Sequence, residues 1–228
     1  MKIYIDAGHG GSDSGAVGNG IKEKDITLKI ALKIRDLIRK YNGVETKMSR
    51  TTDKTVSLQQ RTDEANKWGA DFFLSVHINA GGGVGYEDFI YNKLSNTSET
   101  AKIRDIIHTE IIKIVDFTNR GKKKANFHVL RETKMNAMLS ENGFIDNKSD
   151  TDKLKSDRYL DKIAQGHVNG ISKAYNLKKV VTPVKPKINK DVIYRVVTGS
   201  FSNRENAEKR INELKAKGFD GFIDIYTK

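Results

Sequence analysis

Lys2-Ile-Tyr-Ile-Asp-Ala-Gly-His9-Gly-Gly-Ser-Asp-Ser-Gly-Ala-Val-Gly-Asn-Gly20 opens the chain, and a long amphipathic stretch from Asp25 to Tyr41 follows. The apolar run Lys2–Ile5 suits a buried strand, and the loop from Gly8 to Gly20 holds six glycines. Ile26, Ile30, Ile34, Leu37 and Ile38 then fall on one helical stripe, with Gly43 just past its end. A strand that runs through a glycine loop into an amphipathic helix is the opening unit of a layered α/β domain.

The same alternation continues outward. Strands are predicted at Lys2–Ile5, Val44–Met48, Asp71–His77, Tyr86–Tyr91, Phe127–Leu130 and Ala137–Ser140. A second helix is predicted from Ser57 and Gln60, a capping-box pair, to Gly69; others span Thr100–Val115 and Tyr159–Tyr175. Both prolines, Pro183 and Pro186, fall in Lys178–Asp191, a lysine-rich stretch without periodicity that reads as a linker. It divides a domain at 1–177 from a small unit at 192–228. In that unit Val192–Val197 reads as a strand, Asn203 caps a helix through Lys217, and Gly221–Tyr226 reads as a second strand, giving one βαβ unit.

Composition narrows the chemistry. The 228 residues contain no cysteine, so disulfides, thiolate metal sites and cysteine nucleophiles are excluded and any metal must rest on His, Asp or Glu. No apolar run approaches the roughly 20 residues of a membrane span. Forty-one basic residues against 29 acidic ones favour a polyanionic partner. The glycine loop matches no phosphate-binding pattern, since no Gly-Lys-Ser/Thr follows it and the Gly-x-Gly-x-x-Gly spacing fails at Asp13.

Three polar residues come directly after buried strands: His9, His77 and Glu141. If those strands are parallel, their carboxyl ends share one crevice. Glu23 stands just before the long helix, and the glycine loop can return it toward His9. Two imidazoles and one carboxylate compose the three-ligand set of a catalytic zinc site with an open position. Glu141 is then left as a general base for metal-assisted amide hydrolysis. Each residue also has an ordinary explanation. His77 fits a core histidine partnered by Asn79, Glu23 and Asp25 suit a helix N-terminus, His9 fits a plain loop residue, and Glu141 suits a turn before Gly143. Only their joint placement raises the functional reading. His108 and His167 read as helix-packing or surface residues, and His128 is ambiguous.

Four separated motifs carry a resemblance. Ile5-Asp-Ala-Gly-His9-Gly-Gly-Ser-Asp-Ser-Gly-Ala16, Glu23-Lys-Asp25, Ser75-Val-His77-Ile-Asn79-Ala80 and Leu139-Ser-Glu141-Asn-Gly-Phe144 resemble the amidase-3 family of N-acetylmuramoyl-L-alanine amidases over about residues 1–176. Likeness to sporulation autolysins and phage endolysins of this kind extends to Gly69-Ala-Asp-Phe-Phe-Leu74 and Asn119-Arg-Gly-Lys-Lys-Lys124. The resemblance implies a mixed, mostly parallel six-stranded sheet flanked by helices. It also implies one Zn2+ on His9, Glu23 and His77, and catalysis by Glu141. The implied reaction cuts the amide between N-acetylmuramic acid and L-alanine in peptidoglycan. A non-catalytic wall-binding protein on the same scaffold and another zinc peptidase are the rival readings.

The tail, Tyr194-Arg-Val-Val-Thr-Gly-Ser-Phe201 with Asn206-Ala207 and Gly218-Phe219, is similar to one repeat of the SPOR wall-binding domain, which normally uses two. A lone βαβ buries little core, so a homodimer through this unit, or docking on the catalytic domain, is expected. Residues 177–228 carry twelve basic and six acidic residues, which fits peptidoglycan carboxylates and anionic wall polymers. Neither nucleic acid nor membrane is an expected partner. The opening run lacks the length and flanks of a signal peptide, so synthesis in the cytoplasm and arrival at the wall by mother-cell lysis or phage release are expected.

Overall fold

The computed structural model describes residues 1–180 and 197–225. Contacts divide the chain into two compact units, Met1–Val181 and Thr182–Lys228. The first holds a six-stranded sheet built of β1 (Lys2–Ala7), β2 (Glu45–Met48), β3 (Phe72–Asn79), β4 (Tyr86–Tyr91), β5 (Asn119–Ala125) and β6 (Asn136–Phe144). Their order is β2-β1-β3-β6-β4-β5. β2, β1, β3 and β6 are mutually parallel, β4 runs antiparallel to β6, and β5 is parallel to β4. This is the mixed, mostly parallel sheet expected from the motifs.

The pleat sends alternate side chains to two cores. Ile3, Ile5, Phe72, Leu74, Val76 and Met138 face helices α1 (Glu23–Ile38), α3 (Glu99–Ile112) and α6 (Asp157–Ala174). Tyr4, Phe73, Ala137 and Leu139 face α2 (Leu58–Trp68) and the single-turn α4 (His128–Arg131). Sandwiching β1 and β3 between helices on both sides explains their near-continuous apolar runs. α6 approaches α3 closely because Gly166 and Gly170 sit over the Cα atoms of Ile111 and Ile107, at 3.0 and 2.6 Å from where a Cβ would stand.

Local signals hold where they are strongest. Ser57 and Gln60 form the capping box of α2, and Gly69 ends it in the left-handed region at φ 67°. Two expectations need correction. Phe127–Leu130 is not a strand: Leu130 and Arg131 donate their N–H groups to Phe127 O, closing the turn of α4. A four-residue apolar run has no period that separates the two outcomes. The sixth strand is instead Asn119–Ala125, a basic edge strand whose Lys122 and Lys124 are exposed. A further helix, α5 (Lys148–Leu154), lies where no helix was expected; Asn147 caps it by accepting from Asp150 N.

In the second unit α7 (Arg204–Ala216) is capped by Asn203, as its sequence predicts. The strand expected at Val192–Val197 lies, apart from Val197, outside the described residues, as does most of the linker at 178–191. Residues 221–225 show no regular secondary structure, so the second strand expected there is not seen among the described residues. A strand needs a laddered neighbour to complete its hydrogen bonds, and periodicity alone supplies none. No described helix is long and apolar enough to cross a membrane.

Candidate metal centre and catalytic crevice

β1, β3 and β6 are neighbours and end at the same side of the sheet, which brings His9, His77 and Glu141 to one crevice. His77 is the register partner of Glu141, so the two side chains stand side by side on one face. Glu23 opens α1 beside them. Ligand atoms of His9, Glu23 and His77 all lie within 4.8 Å of one another, the one such cluster of metal-ligating groups among the described residues.

The glycine loop makes this approach feasible. Gly8 passes so close to the His77 ring that a Cβ there would lie 2.5 Å from Cε1, and a Cβ on Gly15 would lie 2.6 Å from Glu23 Oε2. His9 itself sits at φ 61°, a left-handed conformation that costs a non-glycine residue roughly 1 kcal/mol or more. Two buried arginines hold the loop in that shape. Arg61 donates to His9 O at 2.8 Å and Ala7 O at 2.7 Å, and its Nη1 also binds Asp6. Arg50 donates to Ala7 O at 3.0 Å, Gly8 O at 2.9 Å and Lys24 O at 2.7 Å. The carbonyls of Ala7, Gly8 and His9 therefore each meet a cationic donor, bonds worth more than neutral ones. Sequence reasoning missed both arginines; a buried arginine carries no periodic signal.

Glu23 is the hub of the cluster. Its Oε1 lies 3.2 Å from His9 Nε2 and 3.0 Å from His77 Nδ1, and it also accepts from Ile78 N at 3.0 Å. Ala16 N donates to Oε2 at 3.0 Å. Burial opposes its charge, but the bonds from His77 and His9 prevail and hold its carboxyl far below the usual range. His9 behaves conversely: burial disfavours its charge, yet Glu23 and Asp13 raise it to about 9. For His77, burial likewise lowers, while the bond from Glu23 and the charge of Glu141 raise it on balance. Asp13 lies 2.8 Å from His9 Nδ1, which orients the ring with Nε2 toward Glu23.

Glu141 stands apart from this cluster. Its Oε2 is buried without a hydrogen-bond partner among the described residues. Burial pushes its carboxyl up, His77 pulls it down, and the nearby charges of Glu23 and Glu87 push again, leaving it at about 7. A carboxylate without a partner at its inner oxygen, beside a cluster of three ligand atoms, has the makings of a general base.

His108 and His167 are structural. His108 is buried, with Nδ1 2.6 Å from Asp88 and Nε2 3.0 Å from Asn119, and His167 is buried against Ile163 O and Ser140 Oγ. Burial lowers His167 to about 4, so it stays neutral. Asn79 does not partner His77; it donates to Glu87 Oε1 at 2.9 Å, and His77 Nδ1 meets Glu23 instead.

Comparison with known proteins finds relatives for both parts of the chain. The family described as N-acetylmuramoyl-L-alanine amidase matches residues 3–173, and the SPOR domain matches residues 158–224, beginning inside α6. The N-acetylmuramoyl-L-alanine amidase CwlM of Bacillus licheniformis is 51% identical over 224 residues, covering 98% of this chain and 84% of that protein. The endolysin of Bacillus phage SPP1 is 45% identical over 230 residues, covering 99% of this chain and 80% of that protein. Among solved structures, the N-acetylmuramoyl-L-alanine amidase of Clostridium difficile 630 superposes with a TM-score of 0.74 at 33% identity, covering 77% of this chain and 96% of that one.

Proposed function

The chain belongs to the N-acetylmuramoyl-L-alanine amidase family, and we propose that it is a zinc-dependent peptidoglycan amidase in which His9, Glu23 and His77 hold the metal and Glu141 is the general base. One observation carries the reading: three ligand atoms lie within 4.8 Å of one another, and the unpartnered Oε2 of Glu141 is on the neighbouring strand.

The donor set fits zinc, because two imidazole nitrogens and a carboxylate oxygen make the His₂Glu composition of catalytic sites with a free fourth position. His9 Nε2, His77 Nδ1 and Glu23 Oε1 are the atoms that would bind it. When bound, zinc polarises the scissile carbonyl and acidifies water. This chain's own residues do the rest. Asp13 fixes the His9 ring, while the amides of Ala16 and Ile78 hold Glu23 ionised in place. The Glu141 carboxylate takes a proton from the attacking water and passes it to the departing nitrogen of L-alanine, so the lactoyl C–N bond breaks to a carboxylic acid and a free amino end.

Purified peptidoglycan tests this. The expected products are intact stem peptides with new L-alanine amino ends; chelation stops their release and zinc restores it. Release of new reducing sugar ends, or no release by the zinc-loaded chain, would overturn the reading.

The second unit serves, in this reading, as a wall-binding tail that delivers the enzyme to peptidoglycan and its anionic polymers. Twelve basic against six acidic residues in 177–228 and the SPOR match support it. α7 buries none of its residues, and Phe219, Phe222 and Ile225 are exposed. Such apolar surface is covered by pairing with a second copy of the chain. Sedimentation is then expected to show a concentration-dependent dimer that Phe222→Glu weakens; a strict monomer at all concentrations refutes the pairing.

A further inference from the structure

Glu87 is a buried carboxylate that the hydrolysis leaves idle. It lies on β4 as the register partner of Glu141, so the row His77, Glu141, Glu87 crosses three neighbouring strands on one face. Oε1 of Glu87 accepts from Asn79, and Oε2 accepts from Arg120 Nε at 2.6 Å and Lys123 Nζ at 2.5 Å. One carboxylate thus holds two cations from the next strand out, and a net positive charge remains around Glu87, whose backbone lies one strand spacing, ~4.8 Å, from that of the base.

Neither cation is used up by this contact. The side chains of Arg120 and Lys123 are 33% and 37% accessible. The guanidinium of Arg120 lies 4.8 Å over the ring of Phe144, which fixes its plane. Its Nη1 and Nη2 have no partner among the described residues. A guanidinium oriented by its Nε, stacked on an aromatic ring and open at both Nη atoms presents a fork suited to a carboxylate. A purely structural tie between β4 and β5 would need only one of the two cations.

We propose that Arg120 and Lys123, anchored by Glu87, form a subsite for the stem-peptide carboxylate nearest the scissile amide, so that the enzyme selects stems with that carboxylate free over stems in which it is amidated. The ligand's identity rests on the amidase reading above. That carboxylate belongs to the residue after L-alanine, one residue beyond the departing nitrogen. Pairing it with the surplus cation neutralises both.

The test uses the full chain in its Glu141→Gln form, loaded with zinc, which removes the base and leaves Arg120 and Lys123 untouched. Calorimetry compares muramoyl-L-alanyl-γ-D-glutamyl-L-lysine with its analogue amidated at the glutamyl α-carboxylate. Binding is expected to be about tenfold tighter for the free acid, the effect of one charge-assisted pair. Arg120→Gln is expected to bring that ratio near one, and Lys123→Gln to reduce it; a merely structural role would weaken both ligands alike. Equal affinity for acid and amide, or a ratio that survives both substitutions, overturns the subsite. Wall digestion by the unsubstituted chain, run in parallel, separates the two readings. Digestion without discrimination refutes the subsite alone, discrimination without digestion refutes the amidase reading alone, and absence of both refutes both.

Discussion

Glu141→Gln is expected to lower turnover on peptidoglycan by roughly 10² to 10⁴-fold, the usual worth of a positioned base, while zinc content and folding stay as they are. Folding should be spared because Oε2 of Glu141 makes no hydrogen bond among the described residues that glutamine would break. The substitution also removes a buried charge beside Glu87. The pH profile gives a second measurement. Without metal Glu141 titrates at about 7, against 4.5 for an ordinary glutamate. A divalent cation at the neighbouring ligands favours the ionised form, so the acid limb of kcat/KM in the loaded enzyme should fall between those values. Activity rises with pH through this limb, because the base must be deprotonated to act. The residual rate of Glu141→Gln should lack the limb. Full activity in that variant, with the limb unchanged, would falsify the assignment of the base.

His77→Ala is expected to strip the metal. One of three ligands is lost, and affinity for zinc should drop well beyond the 10- to 100-fold typical of losing an outer partner such as Asp13. Peptidoglycan hydrolysis should fall to the level of chelated enzyme. Titration against a chromogenic chelator measures the first effect, and metal analysis of the purified chain gives an independent value. The same titration has a predicted pH dependence. His9 is held protonated up to about 9 by Glu23 and Asp13, and that proton must leave before Nε2 can bind metal. Zinc affinity should therefore rise with pH up to about 9, with proton release on binding. A His77→Ala chain that kept stoichiometric zinc would remove His77 from the ligand set.

These expectations draw on different levels of the molecule. The helix α2 was readable from a few adjacent residues, because a capping box and a left-handed glycine act within one turn. The alternation of apolar strands with amphipathic helices was readable for the same reason, since period and burial are set by near neighbours. His9, Glu23, His77 and Glu141 were identifiable as a group from residue type and position after strands.

Other features are not written in any local stretch. The basic edge strand Asn119–Ala125 carries no apolar period and is a strand because β4 supplies its ladder, and Phe127–Leu130 looks like a strand until its backbone closes a helical turn. Arg50 and Arg61 are two of the chain's many basic residues by composition, yet they close the carbonyls of the glycine loop. Glu87 gains its two cations only because β4 and β5 are neighbours.

The sequence by itself determined the layered α/β plan and the chemistry of the four candidate residues, because hydrophobic period, caps and side-chain type are local properties. Tertiary structure alone decided that Glu23 becomes the hub of two imidazoles, that Glu141 is left without a partner at its inner oxygen, and that a cationic rim stands beside it. Those outcomes depend on pairwise distances and on exclusion of water, and both exist only once strands from distant parts of the chain lie side by side.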